Sequence, residues 1–100
     1  MSEEEQRKTG EGAALRRFPA ERRTIQQLLV GDGDFYDMCE ELAEAESALL
    51  AAEALPLDVR EARIAEWTAS IDRLVGEIAR ALREANVIRI GWAGDLKSRR

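Results

Sequence analysis

The residues best suited to chemistry lie in one short stretch, GDGDFYDMCEEL, which runs from Gly31 to Leu42. It holds five carboxylates in twelve residues, together with two glycines and the only cysteine of the chain. A stretch of this composition suits a cation site, a phosphate-binding loop or the start of a helix. The spacing of the acids separates these three interpretations.

The acids do not have the spacing of a calcium-binding EF-hand, which needs ligands at positions 1, 3 and 5 and an acid at 12. Counted from Asp32, the later positions hold Asp34, Tyr36 and Ala43, so the third and last ligands are missing. A phosphate loop needs backbone amides that face an anion, and these aspartates would repel it. We therefore predict a helix start, with Gly31 ending one helix and Asp32 or Asp34 capping the next.

The other reactive groups do not form a catalytic set. Histidine is absent, which excludes the usual Ser/His/Asp and Cys/His systems, most zinc sites and His-containing di-iron bundles. Glu40, Glu41 and Glu44 flank the apolar positions and predict a solvated acidic face. Cys39 stands among acids that disfavour its thiolate, so we predict a packed thiol. We expect no catalytic residue, no metal and no cofactor, and we predict that the protein is not an enzyme.

Length and charge restrict the class of protein further. One hundred residues suit a single domain, and the net charge of −5 opposes general binding to nucleic acid or to anionic membranes. No apolar run approaches the roughly 20 residues that cross a bilayer, and the first residues contain no apolar segment typical of a signal peptide. We therefore predict a cytoplasmic protein without a membrane partner.

Three helices follow from the apolar spacing and the breaks. Residues 1–15 have no apolar period and predict a disordered leader. Phe18-Pro19 suits the start of a short helix over about 19–30, and Gly31 suits its end. Leu55-Pro56-Leu57 separates a helix over about 34–54 from one over about 58–86. Asp58 and Glu61 have the residue types and spacing of a capping box at the start of the latter helix. The core-facing positions are Ile25, Leu28 and Leu29 in the first helix, Phe35, Met38, Leu42, Ala45, Leu49 and Ala52 in the second, and Ile64, Trp67, Ile71, Leu74, Ile78, Ala81, Leu82 and Ala85 in the third.

These elements predict an all-α fold in which the two longer helices form an antiparallel, coiled-coil-like hairpin. The short first helix would pack at the open end of the hairpin, in a single helical domain over residues 16–90, followed by a flexible tail over 91–100. From Gly31 to Asp58 there are nine acids and no basic residue, whereas Val59 to Arg100 holds nine basic residues and six acids. The two arms of the hairpin are therefore expected to attract each other.

Trp92 and the basic residues allow two interpretations each. Trp92, between Gly91 and Gly94 and close to a basic C-terminus, suits either a docking element or a cover for the open end of the hairpin. The arginines at 16–17 and 22–23 suit pairing with acids of the middle helix or simple solvation, and contact with nucleic acid is the competing interpretation.

The arrangement resembles the YdcH-like family of small bacterial helical-hairpin proteins, whose function is unknown. The resemblance covers roughly Phe18 to Leu82. It rests on Phe18-Pro19, on Ile25 and Leu28, on the acidic step from Asp32 to Asp34 before Phe35, and on two amphipathic helices separated by a break. The proline turn, the longer last helix and the tryptophan near the C-terminus depart from the family pattern. The resemblance implies a helical hairpin in the bacterial cytoplasm and supplies no catalytic residues.

The function that best fits these features is a small protein–protein interaction or scaffold module. A lone hairpin leaves its apolar stripe half exposed, so a second copy or another helical protein is the expected partner. Competing interpretations are a nucleic-acid-associated regulator that uses the basic cluster and tail, and a ligand-binding domain. The candidate interaction residues are Met38, Leu42, Trp67, Ile71, Leu74, Ile78 and Trp92.

Overall fold

The computed structural model describes the backbone of residues 3–98 and the side chains of residues 9–87. Its helices are α1 (Glu3–Arg17), α2 (Arg22–Gly31), α3 (Gly33–Ala52) and α4 (Leu57–Ser98), and a 3-10 turn at Pro19–Glu21 precedes α2. The described backbone contains no strand, which confirms the all-α class. The predicted helices at 19–30, 34–54 and 58–86 correspond to α2, α3 and α4.

The molecule is elongated because α4 runs along its whole length. The radius of gyration is 16.9 Å, against about 13 Å for a spherical domain of this size. Forty-two residues of helix span about 63 Å at 1.5 Å per residue, close to the longest dimension of 66 Å. The shorter helices pack against α4 or against α3.

The core lies around α3, whose most extensive contacts are with α4 on one side and α1 on the other. The largest fully buried side chains are Phe35, Cys39 and Leu42 of α3, with Ile25 of α2 and Ile78 of α4. Ile25 and Leu29 are buried, and Leu28 packs half-buried against the same cluster. The core-facing pattern predicted for α2 is thus confirmed.

The prediction of a disordered leader over residues 1–15 differs from the structure, which has α1 there. Ala13 and Ala14 of α1 are fully buried in the main core cluster. The segment lacks a period of large apolar residues because its contact face consists of glycine and alanine. Such a face is weakly hydrophobic by composition, but it lets two helix backbones approach closely.

Gly10 marks the closest approach of α1 to α3. A methyl group built on Gly10 would lie 3.2 Å from backbone atoms of Cys39 and Glu40 and 3.3 Å from the Cys39 Cβ. The same methyl group on Gly12 would meet only the Nη1 atom of Arg16, the far end of a flexible side chain. A side chain at position 10 therefore requires the backbone of α3 to shift by a few tenths of an ångström, whereas one at position 12 requires only a flexible side chain to move.

The acidic stretch begins α3, as predicted. The Asp32 carboxylate accepts a hydrogen bond of 3.1 Å from the backbone N–H of Phe35, which satisfies one of the free donors of the first turn. Gly31 is the last residue of α2, and the Asp32 N–H donates to the carbonyl of Leu28 at 2.8 Å. Asp32 thus links the end of one helix to the start of the next.

The last helix is longer than predicted at both ends. It begins at Leu57, so Asp58 lies in its first turn instead of forming the predicted cap, and the Pro56 carbonyl accepts bonds from Val59 and Arg60. It also continues through the stretch predicted as a flexible tail, as far as Ser98. Gly91 and Gly94 are tolerated there because a glycine inside a helix costs only about 1 kcal/mol relative to alanine.

We expect Gly10→Ala and Gly12→Ala to change stability differently. Both substitutions favour the helix by about 0.5–1 kcal/mol, but only the methyl group at position 10 forces the backbones of α1 and α3 apart, which costs about 1–3 kcal/mol. Urea denaturation followed by circular dichroism should show Gly12→Ala to be stabilised and Gly10→Ala to be the less stable of the two. Equal free energies of unfolding would contradict the close approach.

Candidate interaction surface

Four of the seven predicted interaction residues lie inside the chain's own core. Leu42, Ile71, Leu74 and Ile78 are at most 4% exposed. Their repeating positions on α3 and α4 face the seam between these two helices, so each helix buries the other's stripe. These four residues are not available to a partner in the folded chain, which corrects their assignment as a binding surface.

The other three predicted residues have different surroundings. Met38 packs half-buried against the core cluster. Trp67 is 36% exposed and lines a shallow groove of about 210 Å³ between α3 and α4, together with Glu41, Glu44 and Arg73. Trp92 lies outside the residues whose side chains the structure describes. Trp67 is thus the one predicted residue that the described surface presents to solvent as a large apolar side chain.

Two large apolar residues that the spacing analysis did not select are the most exposed near the turn. Leu50 is 69% exposed at the end of α3, and Leu57 is 79% exposed at the start of α4. Val59 is 40% exposed. Leu50 stands beside the seam residue Leu49, and Leu57 follows the proline. In the sequence, the only indication that these residues are exposed is that they are apolar at positions that the predicted core does not require.

A groove of about 460 Å³ connects Leu50 with the end of α1. Leu49 and Leu50 of α3 and Ile71 of α4 supply its apolar lining, and Arg16 and Arg17 of α1 supply its basic wall. We call it the α1–α3 groove. It is the place where α1 stops and the apolar side of α3 continues toward the turn.

Two arginines share one carboxylate in the wall of this groove. Arg16 lies 3.1 Å and Arg17 3.0 Å from the two oxygens of Glu46, and the Arg17 Nε also donates to Oε2 at 3.1 Å. This confirms the predicted pairing with an acid of the middle helix for Arg16 and Arg17. Arg16 and Arg17 are also two of the basic residues considered for nucleic-acid contact, and in the structure both are paired with Glu46.

The ion pairs of α4 do not follow the predicted attraction between the two arms. Those that the described residues form are Arg63–Glu66, Arg73–Glu77 and Arg80–Glu84, all within α4 at spacings of three or four. Side chains at these spacings are the nearest neighbours on a helix surface. These three arginines of α4 therefore pair along their own helix and not with the acids of α3.

Cys39 is the buried thiol that the sequence predicts. Its side chain is fully buried between α1 and the rest of the core, and burial raises the pKa of the thiol from 9.0 to about 12. A thiol held neutral in this way is a poor nucleophile. Among the described residues, no three or more aspartate, glutamate or cysteine side chains lie close enough together to hold a metal ion.

None of the described helices has the length and apolar character needed to span a membrane.

Comparison of the chain with protein-family models, with curated proteins and with solved structures finds no match. The resemblance to the YdcH-like family therefore stays a prediction.

We expect Cys39 to report the opening of the core. In the folded protein at pH 8 a maleimide reagent should modify it slowly, and in urea rapidly, because the thiol is reached only when α1 separates from α3. Mass spectrometry of timed samples measures both rates. Labelling that is equally fast in both conditions would contradict the buried position.

The raised pKa also predicts a loss of stability in alkali. Below pH 9 the thiol is neutral in both states, and above it the unfolded chain ionises first, so the unfolded state is favoured as pH rises from 9 toward 12. We expect the free energy of unfolding to fall by about 1 kcal/mol between pH 8 and pH 10 on this account. Urea titrations of Cys39→Ala at the same two pH values provide the control, because the variant lacks this contribution.

Proposed function

We propose that the protein is a small cytoplasmic interaction or scaffold module that binds another helical protein, or a second copy of itself, through helix–helix packing. It acts without catalysis and without a cofactor. The observation that carries the proposal is the cluster of exposed leucines on either side of the turn between α3 and α4.

The proposal includes an antiparallel hairpin of α3 and α4 as the structural unit. Four residues, Glu53 to Pro56, connect the helices, and the Arg60 Nε donates to the Leu55 carbonyl at 3.0 Å within this connection. Residues 41–45 of α3 and 67–74 of α4 line one groove together. So short a connection between two extensively packed helices supports opposite directions, as in other helical hairpins.

The exposed leucines support binding because their exposure is not needed for the fold. Leu50 and Leu57 are both more than two-thirds exposed. Large apolar side chains grouped at one end of a small domain are typical of contact sites. Burying one such side chain fully stabilises a complex by about 1.5–3 kcal/mol, so the two leucines would supply part of the free energy that holds a helix of a partner.

Two further features of the proposal come from the sequence. Trp92, on the part of α4 beyond the described side chains, is a second candidate contact for a partner. The likeness to the YdcH-like family supports a helical module of the bacterial cytoplasm.

The experiment is affinity capture of a tagged copy from a lysate of its source, combined with sedimentation of the purified protein. We expect a stoichiometric helical partner, or a dimer, whose binding is lost in Leu57→Gln. A polar residue at so exposed a position should change the stability of the fold by less than about 0.5 kcal/mol. A partner that is retained by the variant would move the contact away from the turn.

Val30→Gln is the matched control. Val30 is 81% exposed, like Leu57, but it lies at the end of α2. The control should keep whatever Leu57→Gln loses. A chain that remains monomeric at high concentration and captures no stoichiometric protein would contradict the proposed function itself.

A further inference from the structure

The apolar side of the α1–α3 groove becomes more exposed toward the turn. On α3, Ala43 is 6% exposed and Leu50, seven residues later, is 69% exposed. On α4, Ile71 is 4% exposed, Ile64 is half-buried and Leu57 is 79% exposed. Residues seven apart share one side of a helix, so both helices continue their apolar rows beyond the end of α1.

The wall of the groove has an excess of positive charge. Among the residues whose side chains the structure describes, Glu46 is the only acid that lines it, and it faces the two guanidinium groups of Arg16 and Arg17. One positive charge is therefore left over. The Arg16 side chain is 67% exposed and the Glu46 side chain 20% exposed, so the arginine is the group that a molecule in the groove meets first.

The open rows have the length of a short helix. The row on α4 runs from the exposed Leu57 through the half-buried Ile64 and ends at the buried Ile71, which lies about 21 Å along α4 from Leu57. Two helices that pack side by side leave a groove that receives the side-chain ridge of a third, at axial separations of about 8–10 Å. α1 packs on α3 and ends at Arg17, whose side chain lines the groove.

We propose that the α1–α3 groove and its continuation to the turn bind one amphipathic helix of a partner protein, which places an acidic side chain against Arg16 and an apolar row against Leu50, Ile64 and Leu57. The inference rests on the proposed function and names its partner by chemistry. The bound helix covers the parts of α3 and α4 that lie next to the turn.

A second copy of this chain fits the groove less well. Its exposed acids Asp34, Asp37, Glu41 and Glu44 lie on α3, where no large apolar side chain from residue 31 to residue 49 is strongly exposed. They match the arginines, but the exposed leucines of a second copy lie elsewhere, and of these Leu57 has the exposed acid Asp58 beside it. The net charge of −5 also makes two copies repel each other.

The test uses the full chain and two designed helical peptides of about 18 residues. Both carry leucines at helical spacing, and they differ only in one flanking position, which is glutamate in one peptide and lysine in the other. Fluorescence anisotropy gives the two affinities at low salt, and methyl NMR shifts locate the bound peptide. We expect shifts at Leu50, Leu57 and Ile64, and about fivefold or greater preference for the glutamate peptide.

Three variants separate the charge contribution from the apolar one. Arg16→Glu should reverse the preference between the peptides. Glu46→Gln should tighten the glutamate peptide several-fold, because it removes the carboxylate that competes for the arginines, and a merely structural role of Glu46 would not produce that gain. Leu50→Gln should weaken both peptides alike. Circular dichroism of each variant confirms that it is folded before its affinities are compared.

Several results would overturn the groove assignment. They are equal affinities for the two peptides, an unchanged preference in Arg16→Glu and Glu46→Gln, no binding at millimolar peptide, shifts confined to another surface, or a dimer that Leu50→Gln dissociates. If capture of a partner still depends on Leu57, the interaction function stands and only the groove assignment fails. If neither a partner nor a dimer is found, the proposed function is contradicted, whatever affinity the peptides show.

Discussion

The close approach of α1 to α3 is the contact on which the rest of the fold depends. It is possible because Gly10 has no side chain where the two backbones meet, and because Ala13 and Ala14 are small enough to be fully buried. This contact covers Cys39 and makes α3 a central helix with neighbours on two sides. Without α1, the α3–α4 pair would have the half-exposed stripe that the sequence analysis assigns to it.

The elements with large apolar side chains were predictable from the sequence, and the element with small ones was not. Phe35, Leu42 and Ile78 repeat at helical spacing, and Asp32 has the residue type and position of a cap, so α3 and α4 follow from the pattern. The contact face of α1 instead consists of Gly10, Ala13 and Ala14. These residues add little to the hydrophobic pattern of the sequence. They stabilise the fold because their small side chains leave room for another helix to pack closely.

The candidate surface was harder to predict than the fold, for a related physical reason. Positions that repeat regularly, such as Leu42, Ile71 and Leu74, are those that the chain buries within itself. Leu50 and Leu57 continue the apolar rows toward the turn, where the described part of the chain does not cover them. Only the packed structure distinguishes the apolar residues that are buried within the fold from those that remain exposed. The arginines of α4 show the same limit, since opposite net charges on two arms do not specify which side chains pair.

The length of α4 has a geometric consequence for anything that the protein holds together. One continuous helix joins the turn near Leu57 to the end of the described backbone at Ser98. Two molecules bound at these ends would be kept apart by a spacer whose length is set by residue count. Each residue inserted into such a spacer adds about 1.5 Å and turns one end relative to the other by about 100°. Distance and orientation between the two bound molecules are thus linked, and neither can change alone.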